Sequence, residues 1–322
     1  MEKHTVSNIL SFAGHWEWHD IVIDNWSSDE LKEVMKIHPL IADWLKVIPE
    51  TTEDYLSVRF PDGIEAVMFG TLPYSIKSEV EDSGEMDQLH FFVIHNKLIT
   101  INLDNNTRQI MATPERIALL HQCRSAVDGM FVLARTILHY FHLGLDRFEG
   151  TLREIERAME MDNQRHLMDQ ILSSRFALLY LSNLFTPYQE LMAASKEAYL
   201  DKLKDSRPFM QLFHRMERMD HAFRHYEKEI DTLIAIDDAI SAFRGNEIMK
   251  TLTILTAMFT PATVVGAIWG MNFENLPAIK VSWGFIGVML MTFLSTAGMY
   301  IWMHKKGWTG DILRVRARKS KI

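Results

Sequence analysis

The chain of 322 residues contains a single cysteine, Cys123, so no disulfide framework can form within it and a reducing compartment suits it. A broad cationic surface is lacking too: 34 Lys+Arg against 42 Asp+Glu leave a formal charge of −8, which argues against a nucleic-acid partner. The opening residues 1–7, Met-Glu-Lys-His-Thr-Val-Ser, have no apolar core of signal-peptide type, and secretion is not expected. No G-x-x-x-x-G-K-[ST] phosphate loop occurs, so neither a nucleotide partner nor ATP hydrolysis is expected. Paired acid/base, nucleophile and metal-protease spacings are missing as well, which argues against an enzyme and implies no organic cofactor. Proline is scarce: from Glu115 to Met271 only Pro187, Pro208 and Pro261 occur, so long helices can run there. Above all, charge is missing near the end of the chain, where residues 251–303 hold only Glu274 and Lys280.

That last absence leaves two uncharged runs, 251–273 and 281–303. Each is about 23 residues, or roughly 34 Å as a helix, enough to cross a hydrocarbon core of about 30 Å. The segment between them, 274–280, is too short for anything but a tight turn, so the pair reads as a transmembrane hairpin in a lipid bilayer. A buried hairpin in a soluble domain fits these lengths and flanks poorly. Residues 304–322 then carry seven Lys/Arg and one Asp, a net +6 that leaves about −14 on everything before them. Positive charge stays on the cytoplasmic side, which puts the basic tail inside. Two crossings put the large N-terminal part inside as well, and 274–280 outside. The expected location is the inner or plasma membrane, with both termini cytoplasmic. Trp269, Trp283, Trp302 and Trp308 fall near the expected interfaces, where indoles are favoured.

Before the spans, residues 1–112 mix β-type runs with helical patches and read as an α/β domain. Leu56–Phe60 alternates, Pro61-Asp62-Gly63 signals a turn, and Ile64–Phe69 follows. Leu89–Ile94 and Leu98–Leu103 flank His95-Asn96-Lys97 as a hairpin, and Ser28–Met35 resembles a capped helix start. At Thr113-Pro114-Glu115 the pattern turns helical. Helices are expected at about 114–160, 163–203 and 207–270, the first two as an antiparallel pair. The third would be about 63 residues, or roughly 95 Å, a stalk running into the first span. The domain plan is therefore 1–112 α/β, 113–250 helical and stalk, 251–273 first span, 274–280 external loop, 281–303 second span and 304–322 basic tail.

Along the first span Asn246, Met249, Thr253, Thr256, Thr260, Thr263 and Ala267 recur at threes and fours and share one face. Ile254, Leu255, Met258, Val265 and Ile268 make the opposite face apolar. Such a stripe has two readings. It can be a close-packing surface of small residues whose hydroxyls bond their own backbone, or it can be a wet pore wall. Two helices cannot enclose a channel, so the second reading requires a ring of several copies with the first span innermost.

Gly270-Met271-Asn272 follows directly on this span, and the chain resembles the CorA-type divalent-cation transporters, whose signature is that tripeptide. Asn246-Glu-Ile-Met-Lys-Thr-Leu-Thr253, Pro261 and Thr263 resemble the family's first membrane helix at matching distances, and the two C-terminal spans, basic tail and long preceding helix fit the same plan. Residues 1–112 match only in character. The resemblance implies a funnel-shaped homopentamer that passes Mg2+, with Gly270, Met271 and Asn272 as the selectivity filter at the outer mouth. It implies inward, passive flow gated by cytoplasmic Mg2+, so that Mg2+ is both cargo and regulator. An Asn272 ring suits an ion that sheds water reluctantly, because amide oxygens accept hydrogen bonds from its waters without a carboxylate's tight grip. In that frame Asn246, Thr253, Thr256, Thr260, Thr263 and Ala267 line the pore, and Met249 and Leu252 form a hydrophobic constriction. Glu274, the loop's only carboxylate, would concentrate cations at the mouth. The chain departs from the family in having Ala278 where a second acidic residue is usual, with Lys280 beyond, and Trp269 where a Tyr is usual. Co2+ or Ni2+ import, or Zn2+ transport, is the nearer alternative, and a membrane-anchored scaffold without transport the more distant one.

His214, His221 and His225 share a stalk face, and His15 and His19 lie near Glu17 and Asp20. Solvated or packed histidines are the expectation at both places, with metal binding or pH sensing the alternative. Among the stalk acids Asp220, Glu227, Glu229, Asp231, Asp237 and Asp238, the last two are the candidates for a regulatory Mg2+ bridge between subunits. Cys123 is expected in the core.

Overall fold

The computed structural model describes residues 7–23, 29–37, 39–48, 55–61, 65–74, 87–160, 167–271 and 282–308, which fall into two compact units dividing between Leu233 and Ile234. Of the features read from sequence, the helix cap at Ser28, the Asp62-Gly63 turn, Asn272 to Lys280 and the basic tail from Thr309 onward lie outside the described residues.

The first unit is built on one six-stranded sheet. Its strands are β1 (Ser7–Phe12), β2 (Trp16–Ile21), β3 (Tyr55–Arg59), β4 (Val67–Tyr74), β5 (Asp87–Ile94) and β6 (Lys97–Ile101), in the order β1-β2-β6-β5-β4-β3. All neighbours are antiparallel except β2 and β6, which run parallel. The central strands are buried on both faces, which is why β5 reads as a continuous run: Phe91, Phe92 and Val93 are all buried. Alternate residues serve opposite layers. Ile21, Phe69, Phe92 and Ile99 join a core with Leu31 and Val34 of α1 (Asp29–Ile37) and Trp44 and Leu45 of α2 (Ala42–Val47). Trp16, Met68, Phe91 and Val93 belong to the other face, against α5 (Ala126–Glu160) and α6 (Leu167–Tyr199).

Between sheet and α5 lie α3 (Asn105–Met111), capped by Asp104, whose Oδ1 accepts the Thr107 N–H at 2.8 Å, and α4 (Pro114–Gln122). Helices α5 and α6 are antiparallel, with the Phe141 ring 6.4 Å from Phe185 and 5.4 Å from Tyr188. The first part of α7 (Arg207–Trp269) packs on both through Phe131–Phe209, Phe185–Phe223 and Phe148–Tyr226. Ser206 starts α7: its Oγ accepts the Phe209 N–H at 3.2 Å and donates to Asp128 Oδ1 at 2.5 Å.

Four differences from the sequence reading have physical causes. The hairpin β1–β2 was not expected because Glu17, His19 and Asp20 break its apolar pattern. The buried Asp20 carboxylate is satisfied by Arg108 Nε at 2.5 Å and Thr100 Oγ1 at 2.9 Å. The helix expected over 114–160 is two, separated at Cys123–Ser125, where Ser125 Oγ accepts the Asp128 N–H (3.4 Å) and Asp128 Oδ2 accepts the Arg124 N–H (3.1 Å). The helix expected over 163–203 is regular only through Tyr199 and tightens to a 3-10 turn over Leu200–Leu203. Strand β4 is Val67–Tyr74 rather than 64–69, since it pairs residue for residue with β5 from Met68 to Tyr74.

In the second unit α7 continues to Trp269, 63 residues in all, and α8 spans Gly284–Lys305. Both have stretches long and apolar enough to cross a membrane, and these are almost wholly exposed, with Phe285, Met291 and Phe293 of α8 at 70–76%. Helix α8 stops at Gly307, whose φ of 78° suits glycine, with the Trp308 N–H on the Met303 carbonyl (3.1 Å) and the Gly307 N–H on that of His304 (3.0 Å).

Candidate functional site

Asn246, Met249, Leu252, Thr253, Thr256, Thr260, Thr263 and Ala267 all stand exposed on α7, while Ile254 is buried. A shallow groove on the helix is lined by Leu255, Thr256, Phe259, Thr260, Thr263 and Val264. Each threonine of the stripe turns its hydroxyl back on the helix. Thr253, Thr256, Thr260 and Thr263 donate to the carbonyls of Met249, Leu252, Thr256 and Phe259 at 2.8, 2.9, 2.8 and 2.9 Å. Such bonds form whether the face packs or lines water. What they determine is hydrogen-bond polarity. A hydroxyl has one proton to give, and here it is given to the backbone, so the oxygen offers the surroundings an acceptor only. Pro261 adds to this, since it has no N–H for the Ala257 carbonyl one turn earlier.

The helix closes at the first residue of the tripeptide. The Gly270 N–H reaches the Gly266 carbonyl at 2.9 Å, and a Cβ at 270 would stand 2.8 Å from that same oxygen. Only glycine ends the helix this way without a shift. Gly270 and Met271 are exposed; Asn272 and Glu274 lie outside the described residues.

On the stalk, Asp237 is half-buried and Asp238 exposed. Among the described residues no three His, Cys, Asp or Glu side chains are grouped to hold a metal ion. His214 instead faces Glu217 at 3.4 Å and His225 faces Glu229 at 3.7 Å. His19 is buried with Nε2 2.8 Å from Glu17 Oε2. Cys123 is buried, and burial pushes its thiol up to about 12. One stalk carboxylate stands apart in a way its sequence neighbours do not reveal. Burial, and then the adjacent Glu156, raise the Glu229 carboxyl above its usual range.

A family model described as "CorA-like Mg2+ transporter protein" matches residues 18–305. The magnesium transport protein CorA of Bacillus subtilis (strain 168) is 28% identical over 268 residues, 83% of this chain and 84% of its own length. The putative metal ion transporter YfjQ of the same organism is 26% identical over 305 residues, 91% of this chain and 90% of its own. The complete CorA structure from Methanocaldococcus jannaschii is similar at a TM-score of 0.69 and 20% identity, covering 91% of this chain and 92% of that one. That likeness speaks for the fold: an α/β domain, a long helix and two C-terminal apolar helices. With its matched region running from the second strand to the end of the last helix, this chain belongs to the CorA-like Mg2+ transporter family.

Proposed function

We propose that the chain is the subunit of a passive Mg2+ uptake channel of the inner or plasma membrane, a homopentamer with α7 innermost and both termini cytoplasmic. The observation that carries the reading is the match to the CorA-like Mg2+ transporter family over residues 18–305, and the row of acceptor-only threonine oxygens on one exposed face of α7 supports it. A hydrated Mg2+ holds its waters tightly and points their hydrogens outward, so its path needs acceptors. Repeated around an axis, Thr263, Thr260, Thr256 and Thr253 supply them ring by ring without a charge that would trap the ion.

In this reading Gly270-Met271-Asn272 forms the filter, Glu274 gathers cations outside, and Asn246 makes a polar ring on the cytoplasmic side of the constriction at Met249 and Leu252, which closes by dewetting. A divalent ion moving into a negative interior gains about 4.6 kcal/mol per 100 mV, so no motor is needed. Cytoplasmic Mg2+ bridging Asp237 and Asp238 of adjacent subunits would hold the pore shut.

The test is ion-resolved flux into liposomes holding the purified protein, with Mg2+, Co2+, Ni2+ and Zn2+ offered separately. Mg2+ entry is expected with low internal Mg2+, and Asn272→Ala should abolish its selectivity. No entry of any of these ions at any internal Mg2+ would leave only a membrane-anchored scaffold; preferred Zn2+ or Co2+ entry would reassign the cargo.

A further inference from the structure

Guanidinium groups from three helices converge on one side of the first unit. Arg135, Gln211, His214, Arg215, Glu217 and Arg218 line a concave pocket of about 440 Å3 where α5 meets α7, and Arg116 of α4 adds its charge to the same neighbourhood. Arg135 Nη1 donates to Gln211 Oε1 at 2.5 Å, and Arg215 Nη1 to the Arg135 carbonyl at 3.3 Å. These are neutral partners. Among the described residues no carboxylate pairs with Arg116, Arg135, Arg215 or Arg218, and the one carboxylate lining the pocket, Glu217, faces His214. Four other guanidinium groups of the unit do have a carboxylate partner: Arg108 with Asp20, Arg153 with Glu149, Arg175 with Asp231 and Arg224 with Asp220.

Gathering like charges in a half-buried place is unfavourable unless an anion completes it. The strain is visible in the groups themselves. Burial and the neighbouring arginines hold Arg135 and Arg215 below the usual guanidinium range, and burial with Arg215 does the same to the His139 imidazole. Planar forks of fixed N–H donors match the oxygens of phosphate groups, singly or in series. We propose that this pocket binds a multiply charged phosphate-type oxyanion, either free phosphate or the polyphosphate part of a nucleotide. Binding of this kind needs no phosphate loop and implies no hydrolysis. It is independent of how the membrane helices conduct.

Calorimetry on the full-length protein in detergent, Mg2+-free and at fixed ionic strength, tests this with orthophosphate, pyrophosphate and ATP as probes. Saturable binding is expected, tighter for pyrophosphate than for orthophosphate. ATP binding tighter than pyrophosphate assigns a nucleotide source, and equal binding assigns phosphate alone. Arg218→Gln removes an exposed side chain and should weaken the pyrophosphate affinity by about tenfold or more, with Arg215→Gln acting likewise. Arg153→Gln, at a paired guanidinium outside the pocket, should leave it unchanged. Absence of saturable binding, as when a neighbouring subunit's carboxylates already fill the pocket, overturns the proposal. So does binding that survives both pocket substitutions, or that falls equally in the Arg153 control.

Discussion

Replacing Thr260 by valine isolates the acceptor role of the stripe. The two side chains have nearly the same shape, and the hydroxyl lost is one that donates to the Thr256 carbonyl at 2.8 Å. That carbonyl keeps its ordinary helical N–H partner, so nothing is orphaned and the thermal midpoint should stay put. Thr251 is the matched control. Its hydroxyl makes the same kind of bond, to the Glu247 carbonyl at 2.8 Å. Nine residues separate the two, which at 100° per residue puts them about 180° apart on the helix. If Thr260 faces a conducted hydrated ion, each bond to its waters contributes about 0.5–1.5 kcal/mol. Losing about two of them from one ring raises the barrier by about 1–3 kcal/mol, a slowing of roughly 5- to 150-fold. Liposome influx followed with a Mg2+-sensitive dye reads this directly. Thr260→Val should be slowed and Thr251→Val should not. Equal flux in both variants, with both folded, would refute the pore-wall assignment and leave the stripe a packing surface.

Gly129→Ala should destabilise the first unit by about 1–3 kcal/mol in urea unfolding, despite alanine's better helix propensity. The new Cβ would stand 2.4 Å from Trp16 Cη2, and that ring is fixed by stacking on Phe12 at 4.3 Å and by its bond to the Cys123 carbonyl at 3.3 Å. A variant as stable as the parent would mean Trp16 yields freely. His90, bonded to Thr71 across β4 and β5 at 2.8 Å, is depressed by burial from 6.5 to about 4. The folded state therefore binds fewer protons than the unfolded one below the ordinary value. Stability is complete above pH 6.5 and drains as pH falls toward 4, with roughly 2 kcal/mol gone by pH 5. A urea midpoint that does not move between pH 7 and 5 contradicts this. Asp237→Asn combined with Asp238→Asn should let influx persist at internal Mg2+ levels that silence the parent; unchanged closure removes both from the sensor.

The membrane half was legible because lipid imposes one demand, absence of charge over a fixed length, and residues 251–273 and 281–303 meet it without help from elsewhere. The helical phase of the threonines was legible for a similar reason, being set by local geometry alone. Strand β2 was not, because Trp16-Glu-Trp-His-Asp-Ile21 looks half polar until Thr100 and Arg108, some 80 or more residues away, satisfy Asp20. The break at Cys123–Ser125 had a readable signal, Ser125-Ala-Val-Asp128, a capping-box spacing with no glycine or proline to mark it. The arginine pocket was legible only in part: Gln211, His214, Arg215 and Arg218 recur at threes and fours on α7, but nothing local predicts that Arg135 of α5 and the charge of Arg116 on α4 meet them.

The inward commitment of the threonine protons has a corollary for charge sign. A solvated anion holds each water by one hydrogen, so its shell turns oxygens as well as second hydrogens outward and is matched fully only where donors are present too. If the stripe faces a conduit, its threonine hydroxyls, already spent on their own helix, offer such a shell no donor. Along the threonine stretch hydrogen-bond direction would add to charge in disfavouring chloride, so part of the rejection of co-ions should persist at salt concentrations that screen the carboxylates at the entrance.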